Sequence, residues 1–171
     1  VAGVPIESVA EETQEIRDQV AKDLIDLTIQ ELFSFGVMQT DPNFANYLYQ
    51  PDNQRIVLLD FGATHKISPP LVQIYHQLML AGLSGDDVAL EETIEGIGFI
   101  DENTKDSQRK QIVHMVKLVF NTLQNNRYLD FADTKLATHL QDSAMALAKD
   151  GFLPPPLPID VLLLQRKFGG M

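Results

Sequence analysis

Between Met38 and Gly62 the chain reads MQTDPNFANYLYQPDNQRIVLLDFG. Three polar side chains here have types and spacing that suit magnesium-dependent phosphoryl transfer. They are Asp41, Asn46 five residues on, and Asp60 at the head of Asp60-Phe61-Gly62. In such chemistry one carboxylate orients or deprotonates the attacking hydroxyl. An amide oxygen and a second carboxylate hold Mg²⁺ against the nucleotide phosphates. Oxygen donors suit this hard cation, which usually takes only one or two protein carboxylates and leaves its other positions to water and phosphate.

The elements that must position these groups are legible around them. Ile56-Val57-Leu58-Leu59 is a short apolar run of β-forming residues entering Asp60, and Asn46-Tyr47-Leu48-Tyr49 is a second strand candidate. Pro51-Asp52-Asn53-Gln54 between them carries turn chemistry. The two runs predict an antiparallel hairpin with Asn46 at the start of one strand and Asp60 at the end of the other. Those ends are neighbours, so both side chains are within reach of one metal ion. Taken singly, Asp41-Pro42-Asn43 also reads as an Asx turn, and Asp60-Phe61-Gly62 as a polar strand exit with a permissive glycine.

Helix dominates the remainder. From about Ser8 to Ser34, Ile16, Val20, Leu24 and Leu27 recur at three- and four-residue spacing, with Ile25, Ile29, Leu32 and Phe33 as a second stripe near the end. This predicts a helix plunging into a core and stopped by Gly36, its acidic start (Glu7, Glu11, Glu12, Glu15) forming a solvated face. After Gly62 only a handful of residues precede Pro69-Pro70 and a new helix, too few for a long phosphorylation-controlled activation segment. His65 and Lys66 in that interval read as exposed loop groups, although they lie close to the presumed metal. Further helices are predicted over Leu71–Leu83, Asp86–Ile97, Thr104–Leu123 and Asp133–Lys149. Prolines 154–156 and Pro158 then impose an extended segment before a last helix from Ile159. His76, His114 and His139 lack any paired ligand spacing.

Gln39-Thr40-Asp41-Pro42-Asn43-Phe44-Ala45-Asn46, followed by Leu58-Leu59-Asp60-Phe61-Gly62-Ala63-Thr64, resembles the UbiB/ABC1/Coq8 (ADCK) family of atypical kinases. Ala2-Gly3-Val4-Pro5-Ile6 is similar to that family's segment just after the interlobe hinge. Leu164-Gln165-Arg166-Lys167-Phe168-Gly169-Gly170 is similar to its late helix with an Arg-Lys pair. The resemblance implies a protein-kinase-like fold, ATP and Mg²⁺ as cofactors, and a role in ubiquinone (isoprenoid lipid) biosynthesis, with ATPase behaviour rather than ordinary protein phosphorylation. It implies that Asp41 is the catalytic-loop aspartate and that Asn46 and Asp60 are the metal ligands. Gln39 stands where many kinases have histidine and Asn43 where they have lysine, which argues against ordinary Ser/Thr phosphorylation.

The expected fold class is therefore mainly α (α+β): residues 1–171 as one domain, the C-terminal lobe of a kinase-like fold, with helices around a hairpin that carries the catalytic loop and the Asp-Phe-Gly motif. The family's Lys-x-Gly-Gln signature, alanine-rich nucleotide loop and ATP-pairing lysine are not found in this sequence, so the N-terminal lobe is expected to be a missing partner and the chain alone inactive. Other expected partners are nucleotide, quinone-pathway lipid and further biosynthesis proteins. The resemblance implies placement in the cytoplasm or peripheral to the inner membrane of a bacterium, or on the matrix side of a mitochondrion. Two other classes stay open. One is a small-molecule phosphotransferase of the aminoglycoside or choline kinase type, and the other is a non-catalytic helical binding lobe.

Composition narrows the classes further. With 171 residues, 44% of them hydrophobic, the chain can bury a core without disulfides, and it has no cysteine. A net charge of −11 argues against nucleic acid, whose phosphates demand clustered Lys and Arg, and against broad docking on anionic lipid. No apolar run approaches the length of a bilayer span. The Arg166-Lys167 pair reads as a salt bridge to an acid within the lobe in preference to a contact with a headgroup.

Overall fold

Residues 2–125 and 133–170, the part described by the computed structural model, fall mainly in helices, with five short strands in two antiparallel sheets. The chain divides into two compact units, Val1–Val72 with Ile159–Met171, and Gln73–Pro158.

In the first unit, β1 (Val4–Pro5) leads into a 3₁₀ turn over Ile6–Glu11 and then α1 (Gln14–Gln30). The helix starts later than its periodicity suggests because Thr13, in an extended conformation, caps it by accepting the Ile16 N–H. Glu7 and Glu11 therefore lie in the 3₁₀ turn, and only Glu15 sits at the positive end of the helix dipole. Ile16, Val20, Leu24 and Leu27 pack with Tyr47 and Tyr49 in one cluster, as their spacing implies. The second stripe does not bury as a whole. Leu32 is buried, whereas Ile25 and Ile29 stay exposed because the sheet covers only the opposite face of α1. After α1 a wider π-helical turn (Glu31–Phe35) ends at Gly36, whose φ of +62° is the left-handed conformation that glycine adopts without penalty.

β3 (Tyr47–Gln50) and β4 (Arg55–Leu58) pair antiparallel, Tyr47 opposite Leu58 and Gln50 opposite Arg55, with β1 on the other side of β3. Alternation along β3 sends Tyr47 and Tyr49 into the core. A second, two-stranded sheet joins β2 (Val37–Gln39) to β5 (Thr64–Lys66), where the sequence suggested only a loop. β5 has no hydrophobic signature of its own. It exists because β2 offers it a backbone ladder, with Met38 opposite His65.

The second unit is helical. It takes in most of α2 (Pro69–Ser84), then α3 (Asp87–Ile97), α4 (Asp106–Asn125) and α5 (Lys135–Lys149). Asp86 caps α3 through the Ala89 N–H at 3.1 Å. Pro69 and Pro70 sit within the first turn of α2, where their missing N–H groups cost nothing, so the helix opens on them instead of after them. Ala81, Leu90, Ile94, Ile100 and Phe120 form the core. Gly82 lies inside α2, and a Cβ there would lie 2.3 Å from the Phe120 ring, so the packing requires its absence. Residues 152–158 form no helix or strand, and α6 (Ile159–Gly170) belongs to the first unit, with Val161 and Leu164 fully buried.

Candidate functional site

Asp41, Asn46 and Asp60, to which the sequence gives site roles, all lie in the first unit. β2 leaves its sheet at Gln39, which is buried and hydrogen-bonded through its backbone N–H and both ends of its side-chain amide. Its backbone N–H points to Glu31 Oε1 at 3.4 Å, its side-chain Oε1 accepts the Asp41 N–H at 2.5 Å, and its Nε2 donates to the Asp60 carbonyl at 3.1 Å. One buried amide thus ties the Asp41 segment to the Asp60 segment. Thr40 adds a second tie, its N–H and hydroxyl both donating to the Ala63 carbonyl at 3.0 and 2.8 Å.

Asp41 is two-sided. Its Oδ2 accepts from Asn46 Nδ2 at 3.0 Å, and its Oδ1 from Arg166 Nη2 at 3.1 Å. Asn46 reaches Asp41 because Asn43 caps a 3₁₀ turn over Phe44–Asn46 by accepting the Ala45 N–H. Arg166 reaches it from α6. The end of that helix passes so close to Pro42 that a Cβ on Gly170 would lie 2.4 Å from Pro42 Cγ.

Asp60 follows the end of β4. The ladder runs on past the paired residues, Leu59 N–H donating to the Asn46 carbonyl at 2.9 Å, so Asn46 and Asp60 flank the same end of the hairpin. Asp60 is exposed, and its Oδ1 accepts the Gly62 N–H at 2.7 Å. Asp41 and Asn46 are in direct contact. Asp60 is joined to them through Gln39 and the ladder.

Behind this surface lies a buried ionic group. Lys167 is 0% exposed, donates to the Tyr47 hydroxyl at 2.7 Å and sits 3.7 Å from Glu31 Oε2, an ion pair without a hydrogen bond. Its ammonium also lies 5.4 Å from the centroid of the Tyr47 ring. Burial pushes the Glu31 carboxyl above the usual range, opposed by Lys167 and the Gln39 N–H. The sequence hinted at it through the Arg166-Lys167 pair, read as bridging an acid within the lobe, and through an acid at position 31 beside Leu32. Both members of the Arg166-Lys167 pair take acidic partners within the unit, Asp41 and Glu31. His65 departs from its expectation as an exposed loop group. It is half-buried on β5 with Nε2 2.8 Å from Asp160 Oδ1, because β5 brings it to the start of α6. Lys66 is exposed.

The donor set can be tested for a divalent cation. Among the described residues no three His, Cys, Asp or Glu side chains come together. A cation here would be held by two protein oxygens and by its nucleotide. The Asn46 amide nitrogen is committed to Asp41, which leaves its Oδ1 as the free acceptor, and the Asp60 carboxylate faces solvent. Two hard oxygens fit Mg²⁺.

Comparison with known proteins decides the family. The ABC1 atypical kinase-like domain matches residues 1–94, more than half of the chain. The chain belongs to the ABC1 family of atypical kinase-like proteins. Among its relatives, the mitochondrial atypical kinase coq-8 of Caenorhabditis elegans is 29% identical over 99% of this ABC1 chain and 23% of its own length. The mitochondrial atypical kinase COQ8B of Rattus norvegicus is 28% identical over 98% of this chain and 31% of its own. A probable serine/threonine-protein kinase of Dictyostelium discoideum, abkA, is 31% identical over 99% and 31%. The ABC1 chain thus spans about a quarter to a third of the length of these relatives. Among its described residues, no helix is long and apolar enough to cross a membrane.

Proposed function

We propose that this chain is the C-terminal catalytic and Mg²⁺-binding lobe of a UbiB-type atypical kinase or ATPase that uses ATP and serves ubiquinone biosynthesis. The observation that carries the reading is the contact of Asn46 with Asp41 and the place of Asp60 at the same end of the hairpin, with Gln39 tying the backbones of Asp41 and Asp60. Family membership supports the nucleotide, and the names of the COQ8 relatives support the pathway and, for a eukaryotic source, a mitochondrial setting.

In this reading Asn46 Oδ1 and the Asp60 carboxylate hold Mg²⁺, which supplies charge neutralisation on the nucleotide phosphates during transfer. Asp41 orients the attacking hydroxyl or water. Asn46 has a second task, since its amide nitrogen fixes the rotamer of Asp41. With Arg166 on one oxygen and Asn46 on the other, the Asp41 side chain is fixed in orientation, suited to orienting a nucleophile. The segment between Gly62 and α2 is short and includes β5, so control by a long activation loop is not part of the mechanism.

The test is Mg-ATP affinity and ATP turnover in the full-length protein. Asp60→Asn and Asn46→Ala should weaken Mg-dependent nucleotide binding, whereas Asp41→Asn should spare binding and abolish turnover. Unchanged Mg-ATP affinity in Asp60→Asn would instead favour a non-catalytic binding lobe.

A further inference from the structure

Three buried groups lie outside the proposed chemistry and yet touch every segment that carries it. Lys167 is fully buried on α6, at hydrogen-bond distance from Tyr47 and in an ion pair with Glu31. Tyr47 directly follows Asn46 and is paired with Leu58, two residues before Asp60. Glu31 accepts from the Gln39 N–H, and the Gln39 side chain holds both the Asp41 N–H and the Asp60 carbonyl. A buried ammonium is retained only where partners offset its desolvation, and here those partners are the two supports of the site. Among the described residues Glu31 Oε2 has no hydrogen-bond donor, so Lys167 is the charge that keeps this carboxylate in place.

We infer that Lys167 is a positioning residue: it fixes Glu31 and Tyr47, and through them Gln39, in the arrangement that brings Asp41, Asn46 and Asp60 together. The inference rests on the proposed reading of those three residues, and it assigns α6 a function. The helix supplies a neighbour to Asp41 through Arg166, while its next residue locks the scaffold from beneath. A plain packing role for Lys167 would loosen the whole unit evenly. A positioning role loosens the Gln39–Asp41 segment first.

The experiment is amide hydrogen exchange on the full-length protein, wild type against Lys167→Met, which keeps the apolar stem and removes the charge, with Mg-ATP affinity measured in parallel. Exchange at the Gln39 and Asp41 amides should quicken about tenfold more than at amides within α1, the change expected when a bond in a local network is lost. Mg-ATP binding should weaken by a similar factor, and Lys167→Arg should recover part of both. Uniform acceleration across the unit, or none at Gln39 and Asp41, overturns the inference. If Lys167→Met does not fold, Tyr47→Phe carries the same test, since it deletes a single hydroxyl; protection at Gln39 and Asp41 equal to wild type then overturns it. Asp60→Asn is the control for the underlying reading. If it leaves Mg-ATP affinity unchanged, the metal role fails, while the exchange pattern still decides whether Lys167 orders the segment.

Discussion

Arg166 and Asp41 are 125 positions apart in sequence, yet the guanidinium Nη2 lies 3.1 Å from the carboxylate Oδ1. The contact is made on an open surface. The Arg166 side chain is 61% exposed and that of Asp41 32%. Its value lies in where it holds Asp41, not in folding energy. Arg166→Ala should change unfolding free energy by no more than about 1 kcal/mol, as for other exposed ion pairs. Turnover should fall while Mg-ATP affinity changes little. Urea denaturation alongside steady-state kinetics on the full-length protein separates the two effects, and a stability loss matching the activity loss would count against this assignment.

Gln39 should behave differently, because both ends of its amide are used in a buried setting. Gln39→Leu fills similar space but leaves the Asp41 N–H and the Asp60 carbonyl without their partners. The expected cost is about 1–3 kcal/mol for each group that stays dry. Asp41→Asn retains the Gln39 contact, which is to the backbone, and should cost less than Gln39→Leu in the same denaturation assay.

Glu31 gives a pH dependence with a definite sign. Its folded-state carboxyl titrates above its ordinary value of 4.5, so in the window just above that value the folded state binds more protons than the unfolded one. Stability from this group is therefore full below the ordinary carboxylate range and declines as pH rises through the raised value. Thermal melts from pH 4 upward should show that decline in the wild type and lack it in Glu31→Gln. A wild-type profile parallel to that of Glu31→Gln would sink the assignment.

Gly82 tests the helical unit separately. Gly82→Ala drives a methyl group into the Phe120 ring, and overpacking of this kind costs about 1–3 kcal/mol. Phe120→Leu creates room at the cost of a cavity, so the double variant should be more stable than the sum of the two single losses predicts. Additive losses would mean that the two residues do not share one packing contact.

What the sequence determined by itself is local. Strand and helix positions followed from periodicity and from punctuation such as Gly36 and the Pro154–Pro156 run, because apolar spacing and backbone restrictions act within a few residues. Asp41 and Asn46 were legible as a pair for the same reason, since one capped turn connects them. The structure moved what depended on a partner. α1 begins at Gln14 and not near Ser8 because one side-chain cap outweighs a continuous pattern. β5 exists because β2 lies beside it. Ile25 and Ile29 look like core residues, but nothing in the first sheet covers them. The support beneath the site was decided by tertiary structure alone. Gln39, Glu31, Tyr47 and Lys167 carry no spacing signal, because a buried ion pair is fixed by where two distant segments meet, and its desolvation cost is met only after the chain has closed around it.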